Sequence, residues 1–149
     1  MRIFVDADSC PKPARELAAR RAAALGIDVL FAANRPIPGI EKANMEVCPA
    51  GDNSADNRIV ELAREGDLVI SRDIPLAKRL VETGALVLDD RGRVFTRNNI
   101  NELLSLRNFT VNLADNGMGV ERKPGYGKKE LKAFADSLDR VITKVNSKK

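Results

Sequence analysis

Residues 2–12 read Arg2-Ile3-Phe4-Val5-Asp6-Ala7-Asp8-Ser9-Cys10-Pro11-Lys12, and the fold class turns on them. Arg2 to Val5 is a short apolar strand, and Asp6 to Pro11 is a turn-like stretch with two acids and a proline. From about Lys12 to Leu25 the apolar positions recur at helical spacing until Gly26 closes the run. A strand followed directly by a helix is the opening unit of an alternating chain.

The alternation continues outward. Ile27 to Ala33 is a second apolar strand, Asn34 to Ile40 is a loop carrying Pro36, Pro38 and Gly39, and Met45 to Cys48 forms a short third strand before Pro49. Asp52 to Glu65 reads as a helix stopped by Gly66, Asp67 to Ser71 as a strand, Ile74 to Glu82 as a helix opened by Asp73, and Ala85 to Leu88 as a further strand. Repeated strand–helix units of this length predict an α/β architecture: helical layers around a mainly parallel central sheet.

Beyond Leu88 the pattern is thinner. Asp89-Asp90-Arg91-Gly92 is a turn, Val94 to Thr96 an edge strand, and Asn98 to Leu106 a helix. The glycine-rich stretch from about 115 to 127 is expected to be a mobile connector. It leads to a last, basic helix over 128–145, where Leu131, Phe134, Leu138, Val141 and Ile142 recur as a core-facing stripe. No internal repeat marks a second domain, so residues 1–149 are expected to form a single domain.

Composition removes whole reaction classes. With no histidine in 149 residues, the chain cannot build a Ser-His-Asp triad, a Cys-His dyad or a histidine metal site. Two cysteines, Cys10 and Cys48, are too few for a disulfide framework, and neither has a histidine to activate it. Nothing at the N-terminus reads as a signal peptide, and no apolar run approaches the roughly 20 residues of a membrane span, so a cytoplasmic protein without membrane contact is expected. Metal ligands would be carboxylates and carbonyls, which suit Mg²⁺, Mn²⁺ or Ca²⁺.

The net charge of +4 is unevenly placed: residues 1–119 carry 16 Lys/Arg against 17 Asp/Glu, and residues 120–149 carry 9 against 4. A basic C-terminal segment permits a polyanionic partner, although a lysine-rich final helix is more often a solvated face. Only 4% of residues are aromatic, which leaves little for base stacking. Gly125-Tyr126-Gly127-Lys128 lacks the spacing of a phosphate-binding loop.

The acids Asp6, Asp8, Asp56 and Asp73 are the candidate site. In a parallel sheet the functional crevice lies at the C-terminal ends of the strands, and all four fall there. If the chain stays extended past Asp6, Asp8 points the same way. Two carboxylates about 5 Å apart repel by roughly 3 kcal/mol at an effective dielectric near 20, so a cluster needs a countercharge. A divalent cation would supply it; Arg58, Arg72 or Lys12 would supply it in a purely structural network. Asp73 before Ile74-Pro75 is also a good helix N-cap, and Asp56 in a first helical turn also suits the helix dipole.

Val5 to Pro11, Ser54-Ala55-Asp56-Asn57, Gly66 to Ala77, Arg91-Gly92 followed by Thr96, and Leu106-Arg107-Asn108-Phe109 together resemble the YaiI/YqxD family of uncharacterised bacterial proteins. The resemblance covers nearly the whole chain. It implies a three-layer, Rossmann-like fold similar to PIN domains, which are metal-dependent ribonucleases. On that likeness Asp6 is the strand-one acid, Asp56 the helix-start acid, and Ser71-Arg72-Asp73 the late Ser-x-Asp motif. The usual additional helix acid of PIN enzymes has no match here, and Asp8 is the residue that would substitute. The last helix reads Glu130-Leu131-Lys132-Ala133-Phe134 where the family usually has an Asp-Arg-Gln-x-Phe pattern.

The resulting expectation is a Mg²⁺- or Mn²⁺-dependent nuclease acting on RNA or single-stranded nucleic acid. Asp6, Asp56 and Asp73 would be catalytic, and Asp8 would join them as metal ligand. Ser9, Lys12, Asn57, Arg72, Arg91, Lys128 and Lys129 are the candidate substrate contacts. The other reading is a non-catalytic binding module of the same fold, its acids structural or holding a regulatory cation.

Overall fold

The computed structural model describes residues 1–40, 44–49, 54–115 and 125–146. Strand β1 (Arg2–Asp6) leads into α1 (Lys12–Leu25), followed by β2 (Asp28–Ala33) and β3 (Met45–Val47). Next come α2 (Ser54–Leu62), β4 (Leu68–Ile70), α3 (Ile74–Glu82), β5 (Leu86–Leu88), β6 (Val94–Phe95), α4 (Ile100–Asp115) and α5 (Lys128–Asn146). Among the described residues the strands form one sheet in the order β3-β2-β1-β4-β5-β6, in which only β6 runs antiparallel. The α/β architecture with a mainly parallel sheet is as the alternation predicts.

Strand β1 is the middle of the molecule because it is apolar on both faces. Ile3 and Val5 face a core shared with Ala14, Leu17, Ala18, Phe134, Leu138 and Ile142, which places α1 and α5 on one side. Phe4, with the opposite parity, packs with Ile59, Val69, Leu76, Leu80 and Ile100 on the other side, which is covered by α2, α3 and the start of α4. The stripe on α5 is thus core contact: Phe134 and Leu138 are fully buried. Burying side chains of that size contributes about 1.5–3 kcal/mol each.

The docking of α5 also shapes the turn after β5. Gly92 has φ +92°, and a Cβ there would stand 2.6 Å from the Ala133 carbonyl oxygen, so the helix backbone rests directly on the glycine. The Ser137 hydroxyl donates to the Gly92 carbonyl at 2.7 Å, Arg91 reaches Glu130 at 3.7 Å, and the Tyr126 hydroxyl donates to the Asp90 carbonyl at 2.6 Å.

Two boundaries differ from expectation by three residues or more. Helix α2 ends at Leu62 rather than Glu65 because the buried Asp67 carboxylate accepts the Arg64 and Arg2 amide N–H groups at 2.9 and 3.0 Å, turning the chain out of the helix. Helix α4 runs on to Asp115, well past Leu106, and the described side chains of its second half are exposed, Phe109 and Val111 among them, as is Leu106. Without a buried face that half has no periodicity to read. Residues 116–124 of the expected connector lie outside the described residues. Among the described residues no helix is long and apolar enough to cross a membrane.

Candidate functional site

The connections out of β1 and β4 diverge. From β1 the chain crosses through α1 to β2 on one side, and from β4 it crosses through α3 to β5 on the other. The C-terminal ends of β1 and β4 therefore flank the topological switch point, where open α/β sheets leave a crevice. Asp6 ends β1 with the parity of Phe4, so it emerges toward α2 and α3. Asp56 lies in the first turn of α2 and Asp73 caps α3, which brings both to the same edge.

These acids line one cleft of about 240 Å³, together with Asp8, Ser9, Asn34 and Ser54. Asp6 is only 6% exposed. Its Oδ2 accepts from the Ser71 hydroxyl at 2.9 Å and from the Ser9 hydroxyl at 3.0 Å. The Ser71 oxygen in turn accepts the Asp73 amide N–H at 3.0 Å. Burial raises the Asp6 pKa above the ordinary carboxylate value; the Ser71 and Ser9 hydroxyls oppose the shift, and the Asp73 and Asp8 charges add to it.

Asp73 is a true N-cap, since its Oδ1 accepts the Leu76 N–H at 3.1 Å, so the structural role read from the sequence is present. It also meets Asp56. Burial, the Asp6 and Asp73 charges and a hydrogen bond with the Asp73 carboxyl push Asp56 up to about 6, and Arg79 only partly offsets them. Carboxyl groups gathered this way are short of positive charge.

The cations named as substitutes for a metal are occupied elsewhere. Arg58 pairs with Glu46 at 2.8 Å and Glu61 at 3.0 Å, Arg72 pairs with the buried Asp90 carboxylate, and Lys12 sits 3.9 Å from Glu16.

Asp8 reaches the cleft by a different route from the extended one. The strand stops at Asp6, residues 7–9 form a turn closed by the Ser9 N–H on the Asp6 carbonyl at 3.3 Å, and the Asp8 carboxylate accepts the Asn34 N–H at 3.1 Å. Ser9 lines the cleft, but the other candidate substrate contacts are not among its lining residues. Asn57 accepts from Arg79 at 2.9 Å and lines a neighbouring recess with Arg58 and Glu61. Arg72 and Arg91 are held by Asp90 and Glu130, Lys12 lies on α1, and Lys128 and Lys129 are exposed in the first turn of α5.

Sequence reasoning missed Asn34 and Ser54 as lining residues; the Ser54 hydroxyl donates to Asn34 Oδ1 at 3.0 Å. Asn34 follows β2 at the same sheet edge as Asp6, and that position was its only signal. The cysteines are both free and buried, and burial pushes Cys10 up to about 12, which leaves little thiolate. Among the described residues no three acidic or thiol groups stand close enough to cage a metal ion directly.

The profile of a family described as "Uncharacterized BCR, YaiI/YqxD family" matches residues 4–144. A UPF0178 protein of Treponema denticola is 48% identical over 97% of this chain and 93% of its own length. Relatives of the same name from Treponema pallidum and Ectopseudomonas mendocina are 46% and 38% identical, over 97% and 98% of this chain and 83% and 99% of theirs. No solved structure matches the chain.

Proposed function

The chain belongs to the YaiI/YqxD family, whose name states no activity, and we propose from the cleft itself that it is a divalent-metal-dependent phosphodiesterase acting on RNA or single-stranded nucleic acid. The observation that carries this reading is the meeting of Asp6, Asp56 and Asp73 at the switch point while Arg58, Arg72 and Lys12 are engaged elsewhere. The resemblance of Asp6, Asp56 and Ser71-Arg72-Asp73 to the acid positions of PIN nucleases supports it further.

The donor set suits Mg²⁺ or Mn²⁺, which prefer oxygen ligands. Because no three acids among the described residues form a tight cage, the fitting ion is a hydrated one that touches one or two carboxylates and reaches the rest through water, as Mg²⁺ commonly does. Bound there, the cation would activate a water and neutralise charge on the leaving oxygen of a phosphodiester. Ser9 and Ser71 hold Asp6 by its Oδ2, so Oδ1 is the oxygen that would meet the ion. Asn34 and Ser54, which also line the cleft, would offer neutral polar contacts. Lys128 and Lys129, both exposed, are the proposed contacts for more distant phosphates. Two free cysteines suit a reducing cytoplasm.

Cleavage of labelled single-stranded RNA and DNA with Mn²⁺, Mg²⁺ or EDTA tests the proposal, with Asp6→Asn purified identically. Metal-dependent cleavage lost in Asp6→Asn is expected. Cleavage that persists in the variant would assign it to a contaminant, and no cleavage of either polymer would remove the reading.

A further inference from the structure

On the face of the sheet opposite α2 and α3, a second and larger pocket of about 620 Å³ lies between α1, β2 and the loop through Pro38, Gly39 and Ile40. The α1 sequence creates it. Lys12, Arg15, Glu16, Ala19 and Ala23 recur at i, i+3, i+4, i+7 and i+11 and so share one helix face. At the two alanines that face presents only methyl groups, leaving open the space above Val29 and Phe31 that larger side chains would have filled. The volume lies within the range of about 300–1,000 Å³ typical of small-molecule sites.

The charges around the pocket are ordered along its length. At the end where α1 begins, Lys12 is held by Glu16 at 3.9 Å, while the half-buried Arg15 side chain makes no hydrogen bond or ion pair among the described residues. Asp28, which opens β2, lies at the far end, and Asn44 adds a carboxamide at the rim. A purely apolar ligand would leave Arg15 without a partner, and a bare anion would leave the apolar floor unused. The ligand that fits carries an anionic group at one end, a flat ring with an apolar face toward the other, and polar groups that hydrogen-bond a carboxamide and a carboxylate.

We propose that this pocket binds a nucleoside monophosphate, with the phosphate on Arg15, the sugar beside Asn44, the base over Val29, and Asp28 at the far end taking the polar edge of the base. A carboxamide hydrogen-bonds sugar hydroxyls, and a carboxylate accepts from the exocyclic amine of adenine. The pocket shares none of the acids of the cleft, so its occupancy stands independently of the proposed nuclease activity.

Calorimetric titration of AMP, adenosine and inorganic phosphate into the full chain tests this, using wild type, Arg15→Gln, Ala19→Leu and Asp6→Asn. Circular dichroism and thermal melting of each variant establish that it is folded, and Arg15→Gln, at a half-buried side chain with no partner, keeps the test open should Ala19→Leu not fold. AMP is expected to bind wild type and Asp6→Asn alike, at least about tenfold tighter than adenosine or phosphate. Arg15→Gln should weaken AMP by about tenfold and leave adenosine unchanged, and Ala19→Leu should weaken both. Absence of AMP binding at millimolar concentration, AMP no tighter than phosphate, or AMP binding indifferent to Arg15→Gln would overturn the proposal. Loss of AMP binding in Asp6→Asn would do so as well, because it would put the nucleotide in the acidic cleft.

Discussion

The Ser71 hydroxyl donates to Asp6 Oδ2 at 2.9 Å while its oxygen accepts the Asp73 N–H at 3.0 Å, so one buried side chain ties the end of β1 to the start of α3. Asp6 therefore has one oxygen committed to the protein and a position set by two elements at once. That connection makes the cleft a property of the fold rather than of a loop.

Removing that connection should be felt in stability. Ser71→Ala strands a buried Asp6 oxygen on Ser9 alone and leaves the Asp73 N–H without its partner, a loss of about 1–2 kcal/mol. Ser9→Ala should cost less, because Ser9 is half-buried and water can take its place. Urea denaturation of the three proteins at neutral pH checks the order.

Without metal, the carboxyl groups should make the protein less stable as pH rises. Asp56, raised from 3.8 to about 6, binds its proton more tightly in the folded than in the unfolded state, and burial raises Asp6 and Asp89 in the same direction. More protons on the folded form means that stability falls as pH climbs from about 4 to about 6 and then levels. Asp56→Asn removes its share of that fall. In EDTA at pH 7 the variant should be more stable than wild type by about 1 kcal/mol, allowing for solvent screening at this half-exposed group. Thermal melts in EDTA across this pH range are the measurement.

Gly92→Ala tests the docking of α5. The added Cβ would meet the Ala133 carbonyl oxygen at 2.6 Å on a backbone with φ +92°, so both sterics and backbone oppose it. A loss of about 3 kcal/mol is expected, accompanied by a change in fluorescence of Tyr126, the chain's single tyrosine, which bonds the Asp90 carbonyl beside the turn.

If Lys128 and Lys129 hold phosphates, replacing both by Gln should weaken binding of single-stranded RNA evenly across sequences. The slope of log K against log salt should fall by about 1.4. An unchanged slope would leave α5 as a core helix with a solvated basic face.

Much of the fold was legible because burial leaves a pattern. Strand β1 and helix α1 emerge from apolar runs punctuated by Asp6, Pro11 and Gly26, and the stripe from Leu131 to Ile142 marks a core helix. Strand order is not written in any one segment: that β4 lies beside β1, placing Ser71 next to Asp6, depends on crossovers running to opposite sides. The acids could be named as candidates from their places at strand ends and helix starts. Their surroundings could not, since the Asp8–Asn34 contact and the Arg72–Asp90 pair join residues far apart in sequence. The exposed stretch of α4 left no signal because, among the described residues, it buries no apolar face that would impose one.

The central claim is that the acids at the end of β1 and the starts of α2 and α3 form a cation site. Calorimetric titration of Mn²⁺ into the full chain at pH 7, compared with Asp6→Asn, tests it most directly. Saturable binding in wild type that is lost or weakened at least about tenfold in the folded variant is the expected result. No binding at millimolar Mn²⁺, or equal binding by the two proteins, would contradict the account.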